Sequence, residues 1–198
     1  PLFDEYFPTR TITKSGTGSW SDTDDDCSHG TTLAGQIGGP INNKRAIIGI
    51  AYEANLFCVR ATNNVTINSA SEVSRVVEAL DLLSSDSEVK FISISLGRTN
   101  RRRALEDAIN LAYDRQKLIV AAAGTAVAVY PAKYPNVVGA TGTRFDQSNP
   151  TNLTSAGITN VTGEHVDFAI YLKRTDDDED WGLGMNMEGY DVREAKGS

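Results

Sequence analysis

The sequence predicts an α/β fold in three layers: a mostly parallel sheet with helices on both faces. Three observations lead there. From Ile47 onward, short apolar runs alternate with segments of helical periodicity, the order produced by strands joined through crossover helices. Leu118 to Ala123 is an almost continuous apolar run, as expected of a strand covered on both faces of its sheet. Two intervening segments repeat apolar residues every three or four positions, which lines them up on one helical face.

Taken in order, Thr13 to Ser28 is rich in Ser, Gly, Thr and Asp, a loop composition. Ile47–Ala51 and Asn55–Ala61 read as strands. Ala70–Leu83 is the first clear helix, with Val73, Val76, Val77, Leu80 and Leu83 at helical spacing and Ser69 or Ser71 able to cap its start. Phe91–Ser95 is the next strand, and Arg103–Lys117 the next helix, with Leu105, Ala108, Ile109 and Ala112 on one face. Leu118–Ala123, Asn136–Ala140 and His165–Ile170 follow as strands. Arg174 to Gly189 is acidic, then Gly- and Met-containing, and has no convincing period. No internal repeat or linker divides the chain, so residues 1–198 are expected to form a single domain. In such a sheet, long loops gather at the carboxyl ends of strands, where sites form.

Bulk composition narrows the function classes. The hydrophobic fraction of 40% and charged fraction of 23% suit a globular domain. A net charge of −7 argues against a nucleic-acid partner, because phosphate binding requires a basic footprint. Arg98, Arg101, Arg102 and Arg103 are the local exception and read as a solvated helix entry. Cys27 and Cys58 do not make a disulfide framework. Cys58 lies in the apolar run Leu56-Phe57-Cys58-Val59, as a small buried thiol would. Cys27 is two residues from His29, but neighbours on a tight turn do not point at one another productively, which argues against a cysteine nucleophile. No stretch is long or apolar enough for a membrane span, no segment has signal-peptide character, and no membrane partner is expected.

The run His29-Gly30-Thr31-Thr32-Leu33-Ala34-Gly35 carries the most chemistry. Gly30 permits close backbone approach beside the imidazole, and Ala34 and Gly35 let the helix pass tightly through a core. A histidine at a helix start behind a polar loop can reach a cleft while staying fixed. Read from these residues alone, His29 is either structural or catalytic.

The order of the following motifs points further. Asp26-Cys27-Ser28-His29-Gly30-Thr31-Thr32-Leu33-Ala34-Gly35 resembles the histidine motif of subtilisin-like serine peptidases. Ile41-Asn42-Asn43 and Ile47-Ile48-Gly49-Ile50-Ala51 resemble the loop and strand after it. Ser93-Ile94-Ser95-Leu96-Gly97 is similar to the strand whose edge pairs with substrate in that family. Ala121-Ala122-Ala123-Gly124 and Tyr130-Pro131-Ala132-Lys133-Tyr134-Pro135 resemble the strand and loop of its oxyanion site, and Val166-Asp167-Phe168-Ala169 its later strand. The resemblance implies a subtilisin-like fold and a serine endopeptidase acting on peptide or protein substrates. His29 would serve as general base toward a serine hydroxyl, then as general acid toward the leaving amine. Ser95, Leu96 and Gly97 would offer backbone groups to an extended substrate, and Gly124 would keep the wall of the substrate pocket open.

The chain departs from the family pattern in three places. The family's aspartate lies in an Asp-Thr-Gly or Asp-Ser-Gly turn before the histidine. Here Pro1-Leu2-Phe3 resembles the stretch just after that turn; Asp4 does not match it, and Asp22, Asp24, Asp25 and Asp26 read as a solvated loop. The family's nucleophile lies in Gly-Thr-Ser-Met-Ala. Gly197 and Ser198 align with its Gly-Thr, which puts the nucleophile at the following residue, with Ser198 itself as the alternative. Thr125 stands where the family places its oxyanion asparagine, a donor worth about 10²–10³ in rate in subtilisin. The expectation is a catalytic domain incomplete at both ends, completed by a complementary fragment that supplies the aspartate and serine segments. A catalytically inactive module with a binding or regulatory role is the alternative, which Thr125 favours. No cofactor is required by this chemistry. Calcium, which such folds often hold in loops, would suit Asn42 and Asn43 or the acidic runs Asp24–Asp26 and Asp176–Asp180, although Lys44 and Arg45 oppose it at the first. His165 reads as structural, the sequons at Asn64, Asn152 and Asn160 decide nothing, and the resemblance favours a secreted or extracytoplasmic location.

Overall fold

The computed structural model describes residues 12–16, 29–41, 48–124, 127–145, 153–155, 167–173, 181–185 and 192–196. They fall into two compact units, residues 1–63 with 182–195 and residues 64–181 with 196–198.

In the first unit, β1 (Ile12–Gly16) pairs in parallel with β2 (Leu56–Arg60), in register from Ile12 opposite Leu56 to Gly16 opposite Arg60. Helix α1 (His29–Gly38) lies within the connection. Its buried residues, Thr32, Ala34, Gly35 and Gly38, are all small, so the helix can lie close to its strand. A Cβ on Gly38 would come within 3.1 Å of the Leu56 side chain.

Thr13 to Gly16, read as loop, are strand, because a distant partner, β2, supplies the ladder that local composition does not advertise. The described part of the expected Ile47–Ala51 strand, residues 48–51, forms no strand. Its amides go instead to the end of α1: Gly49 N–H donates to the Gly39 carbonyl (2.8 Å), Ile50 to Gln36 (3.1 Å) and Ala51 to Ile37 (2.7 Å). Terminal helix carbonyls lack partners of their own, and this turn satisfies them while Ile48 and Ile50 stay exposed. The late segment without a period also contains a strand: β8 (Trp181–Met185) pairs with β9 (Val192–Lys196).

The second unit follows the predicted order more closely. Helix α2 (Ala70–Ser85), β3 (Phe91–Ile94), α3 (Arg103–Asp114), β4 (Leu118–Ala122) and β5 (Val138–Phe145) follow in order; α3 crosses from β3 to β4, and β3-β4-β5 run in parallel. β7 (Phe168–Lys173) extends the parallel sheet along β5, and β6 (Leu153–Ser155) adds to β5 antiparallel. Asp167 starts β7 by a two-way clasp on Gly139: its N–H donates to the Gly139 carbonyl (2.9 Å), and its Oδ2 accepts from Gly139 N–H (2.8 Å).

The core lies between helices and sheet. Val73, Val76 and Leu80 of α2 and Leu105, Ile109 and Ala112 of α3 are buried, as are Ile92 and Ile94 of β3 and Ile119 and Ala121 of β4. α2 packs on α3, and α3 on β4. Each large aliphatic side chain buried this way contributes about 1.5–3 kcal/mol. Polar ties hold the helix ends together. Arg115 Nη1 donates to Asp81 Oδ1 (2.8 Å), Ser84 Oγ (2.7 Å) and Ser85 Oγ (3.0 Å), and buried Lys117 Nζ donates to the Asp86 and Val89 carbonyls (2.6 and 2.7 Å).

Ser69 caps α2 in a reciprocal box. Its Oγ accepts from Glu72 N–H (3.1 Å), and Glu72 Oε2 accepts from the N–H groups of Ser69 (2.8 Å) and Asn68 (2.9 Å). Replacing Ser69 with Ala is expected to cost about 1 kcal/mol, read as a shifted urea midpoint. The Ser69 amide holds the Glu72 carboxyl below its usual range. The stabilisation from the carboxylate is therefore complete above the ordinary glutamate range and is lost as pH falls through the lowered value. The stability difference between the wild type and Glu72→Gln should shrink over that window.

Candidate active site

His29 is the first residue of α1, half-buried, one turn before buried Thr32. The small residues that follow bury α1 along one face, which fixes the helix and with it the position of the imidazole at its mouth. His29 belongs to the first unit; Ser95, Leu96, Gly97 and Gly124 belong to the second, and each group is placed within its own unit.

Ser95, Leu96 and Gly97 continue β3 beyond its last ladder residue, all half-buried. Leu118 N–H donates to the Lys90 carbonyl (3.0 Å), and Arg98 exchanges both backbone bonds with Tyr130 (3.0 and 2.8 Å). Backbone groups alternate sides along extended chain, so even-numbered residues of this stretch face β4 and then Tyr130. Odd-numbered ones, Ser95 and Gly97 among them, face the opposite edge. On that edge Gly97 N–H donates to the Val65 carbonyl (3.0 Å), and the Gly97 carbonyl accepts from Ile67 N–H (2.8 Å). The two contacts form a parallel bridge between Thr66 and Gly97. Gly97 leaves room for Val129: a Cβ would stand 2.6 Å from Val129 Cγ2, so that side chain would have to shift.

Gly124 follows β4 with φ +114, and a Cβ there would run into the Val127 carbonyl oxygen. The loop it opens returns to the strand end, where Val129 N–H donates to the Ala123 carbonyl (3.1 Å). Beyond it, the Tyr130 and Tyr134 rings lie 4.8 Å apart, and Lys133 Nζ sits 5.0 Å from the Tyr130 ring centre. Tyr134 Oη donates to the Arg102 carbonyl (2.8 Å) and accepts from Arg102 N–H (3.2 Å), anchoring this loop to the start of α3. Burial pushes the Tyr134 phenol above its usual value.

The arginine cluster divides. Arg101, Arg102 and Arg103 are exposed, and Arg101 forks onto the Glu106 carboxylate (2.8 and 2.7 Å). Arg98 is only 5% exposed, contrary to the solvated reading, because its place on the extended strand turns it inward. Its Nε donates to the Asn100 carbonyl (2.8 Å), and desolvation, with Arg102 nearby, lowers its pKa. An open depression of about 490 Å³ at the start of α3 is lined by Arg101, Arg103, Glu106, Asp107 and Asn110. None of the motif residues lines it, and its charges pair with one another.

Thr125, Ser198, Asn42 and Asn43 lie outside the described residues, as do Asp4, Cys27, His165 and the aspartates from 22 to 26. Among the described residues, no group of three His, Cys, Asp or Glu side chains gathers to hold a metal ion, and no helix is long and apolar enough to cross a membrane.

The chain matches the subtilase family (peptidase S8) over residues 6–174. It belongs to that family. This subtilase is 34% identical over 149 residues to the minor extracellular protease Epr of Bacillus subtilis (strain 168), an alignment covering 73% of this chain and 21% of that protein. It is 29% identical over 153 residues to thermitase of Thermoactinomyces vulgaris, covering 73% of this chain and 53% of that protein. The chain thus spans about a fifth to a half of these curated relatives. Among solved structures it is similar to sphericase, with a TM-score of 0.69 at 17% identity, covering 98% of this chain and 77% of that one. That likeness supports the three-layer α/β fold.

Sequence reasoning missed the Val65–Ile67 segment, which this subtilase places directly on the expected peptide edge. The available signal was the β-branched triplet Val65-Thr66-Ile67, a composition suited to extended pairing.

Proposed function

We propose that this subtilase is the larger part of a serine endopeptidase domain that hydrolyses peptide bonds through a Ser/His/Asp triad. The observation that carries the reading is His29 at the mouth of α1, within a chain that matches the family on both sides of it. In this mechanism His29 takes the proton of the serine hydroxyl as it attacks the carbonyl, then returns it to the departing amine. The strand edge at Ser95 orients the substrate, and the turn at Gly124 shapes the wall beside it. Ser198 is the candidate for the serine in this chain. The name of the Epr relative supports an extracellular place of action.

A second reading, an inactive binding module, rests on Thr125 at the oxyanion position, where a shorter hydroxyl replaces an amide donor. A fluorophosphonate separates the two. Intact-mass analysis of the reacted protein, with all co-purifying chains, is expected to show one phosphonyl group on one serine. No adduct under conditions that label a subtilisin would establish the inactive module.

A further inference from the structure

We propose that Val65–Ile67 is a built-in length filter, occupying the peptide-binding edge at Gly97 so that substrates engage it only as far as Ser95. The inference deepens the peptidase reading and rests on it. A peptide that adds a strand needs unspent backbone donors and acceptors on the receiving edge. At Gly97 both are spent: the N–H goes to the Val65 carbonyl and the carbonyl receives Ile67 N–H. Arg98, the next residue, gives its own pair to Tyr130 on the other side, so no alternative edge opens there.

The segment is held from within. The Ile67 side chain is 1% exposed. Directly after it, the amides of Asn68 and Ser69 are clamped by Glu72 Oε2 at 2.9 and 2.8 Å, which ties the segment to the start of α2. Val65 and Thr66 are exposed, so the segment forms a rim with one solvent side. Among the described residues, a peptide running along this edge therefore meets unpaired strand at Ser95 and the chain's own backbone one residue pair later.

The test compares alanine-based p-nitroanilides with two and four residues before the scissile bond, using the intact protein. For the wild type, lengthening should raise kcat/KM by less than about twofold, because remote residues find nothing to bind. Ile67→Pro removes the N–H that meets Gly97 and should restore a gain of about tenfold, leaving the short substrate unaffected. Ile67→Ala keeps that N–H but frees the anchor, and should give an intermediate gain if the proline variant does not fold. A tenfold gain already present in the wild type overturns the filter alone. Failure to cleave either substrate removes the peptidase reading, and the filter with it. Amide exchange reports on the contact itself: slow exchange at Gly97 supports it, and exchange at the rate of an unstructured chain overturns it.

Discussion

Replacing His29 with alanine in the intact protein is expected to abolish peptide hydrolysis, lowering kcat by about 10⁶-fold, the scale on which a triad histidine counts in subtilisin. The size follows from the division of labour in the triad. Without a base the serine hydroxyl keeps its proton, and without an acid the amine cannot leave. The remaining backbone contacts bind substrate without advancing either step. The fold should survive the change. His29 sits at the first position of α1, half-buried, where alanine is compatible with the helix. The buried small residues Thr32, Ala34, Gly35 and Gly38 are untouched. A thermal melt within a few degrees of wild type, together with lost turnover of a p-nitroanilide, is the expected pair of results. A loss below tenfold in an active protein would remove His29 from the mechanism.

The second large effect is on stability. Gly124→Ala should cost about 2–3 kcal/mol and lower Tm by about 5–10 °C. Two causes act together. The φ of +114 is a conformation that side chains disfavour, and the new Cβ meets the Val127 carbonyl oxygen, a backbone atom that no rotamer change can move. The strain also reaches the site. Val129 closes this loop onto Ala123, its side chain packs over Gly97, and Tyr130 pairs with Arg98. Relief by shifting residues 127–129 would therefore displace the neighbours of the peptide edge. Calorimetry measures the first consequence; a rise in KM for peptide substrates reports the second.

The legibility of this chain follows how local each interaction is. α2 could be read because its apolar spacing, its capping serine and Glu72 all lie within a few residues of one another, and a helix satisfies its amides from its own carbonyls. β4 could be read because its run is apolar and short, and the His29 motif because glycine, small residues and imidazole sit in one helical turn and the next. Arg98 is buried while its neighbours are exposed, because sequence adjacency to Arg101–Arg103 says nothing about which way an extended strand turns a side chain.

By itself, then, the sequence determined the alternation of strands and helices, the α/β class, the two long helices and the ordered motifs that mark a subtilase. Only the tertiary structure decided that Ile12–Gly16 is a strand, that residues 48–51 close the end of α1 rather than join a sheet, and that Val65–Ile67 takes the backbone of Gly97. The reason is common to all three. Extended segments and turns leave their amides and carbonyls unsatisfied until a partner ten or more residues away arrives, and the choice among partners is settled by packing, as where buried Ile67 fixes the segment beside Gly97.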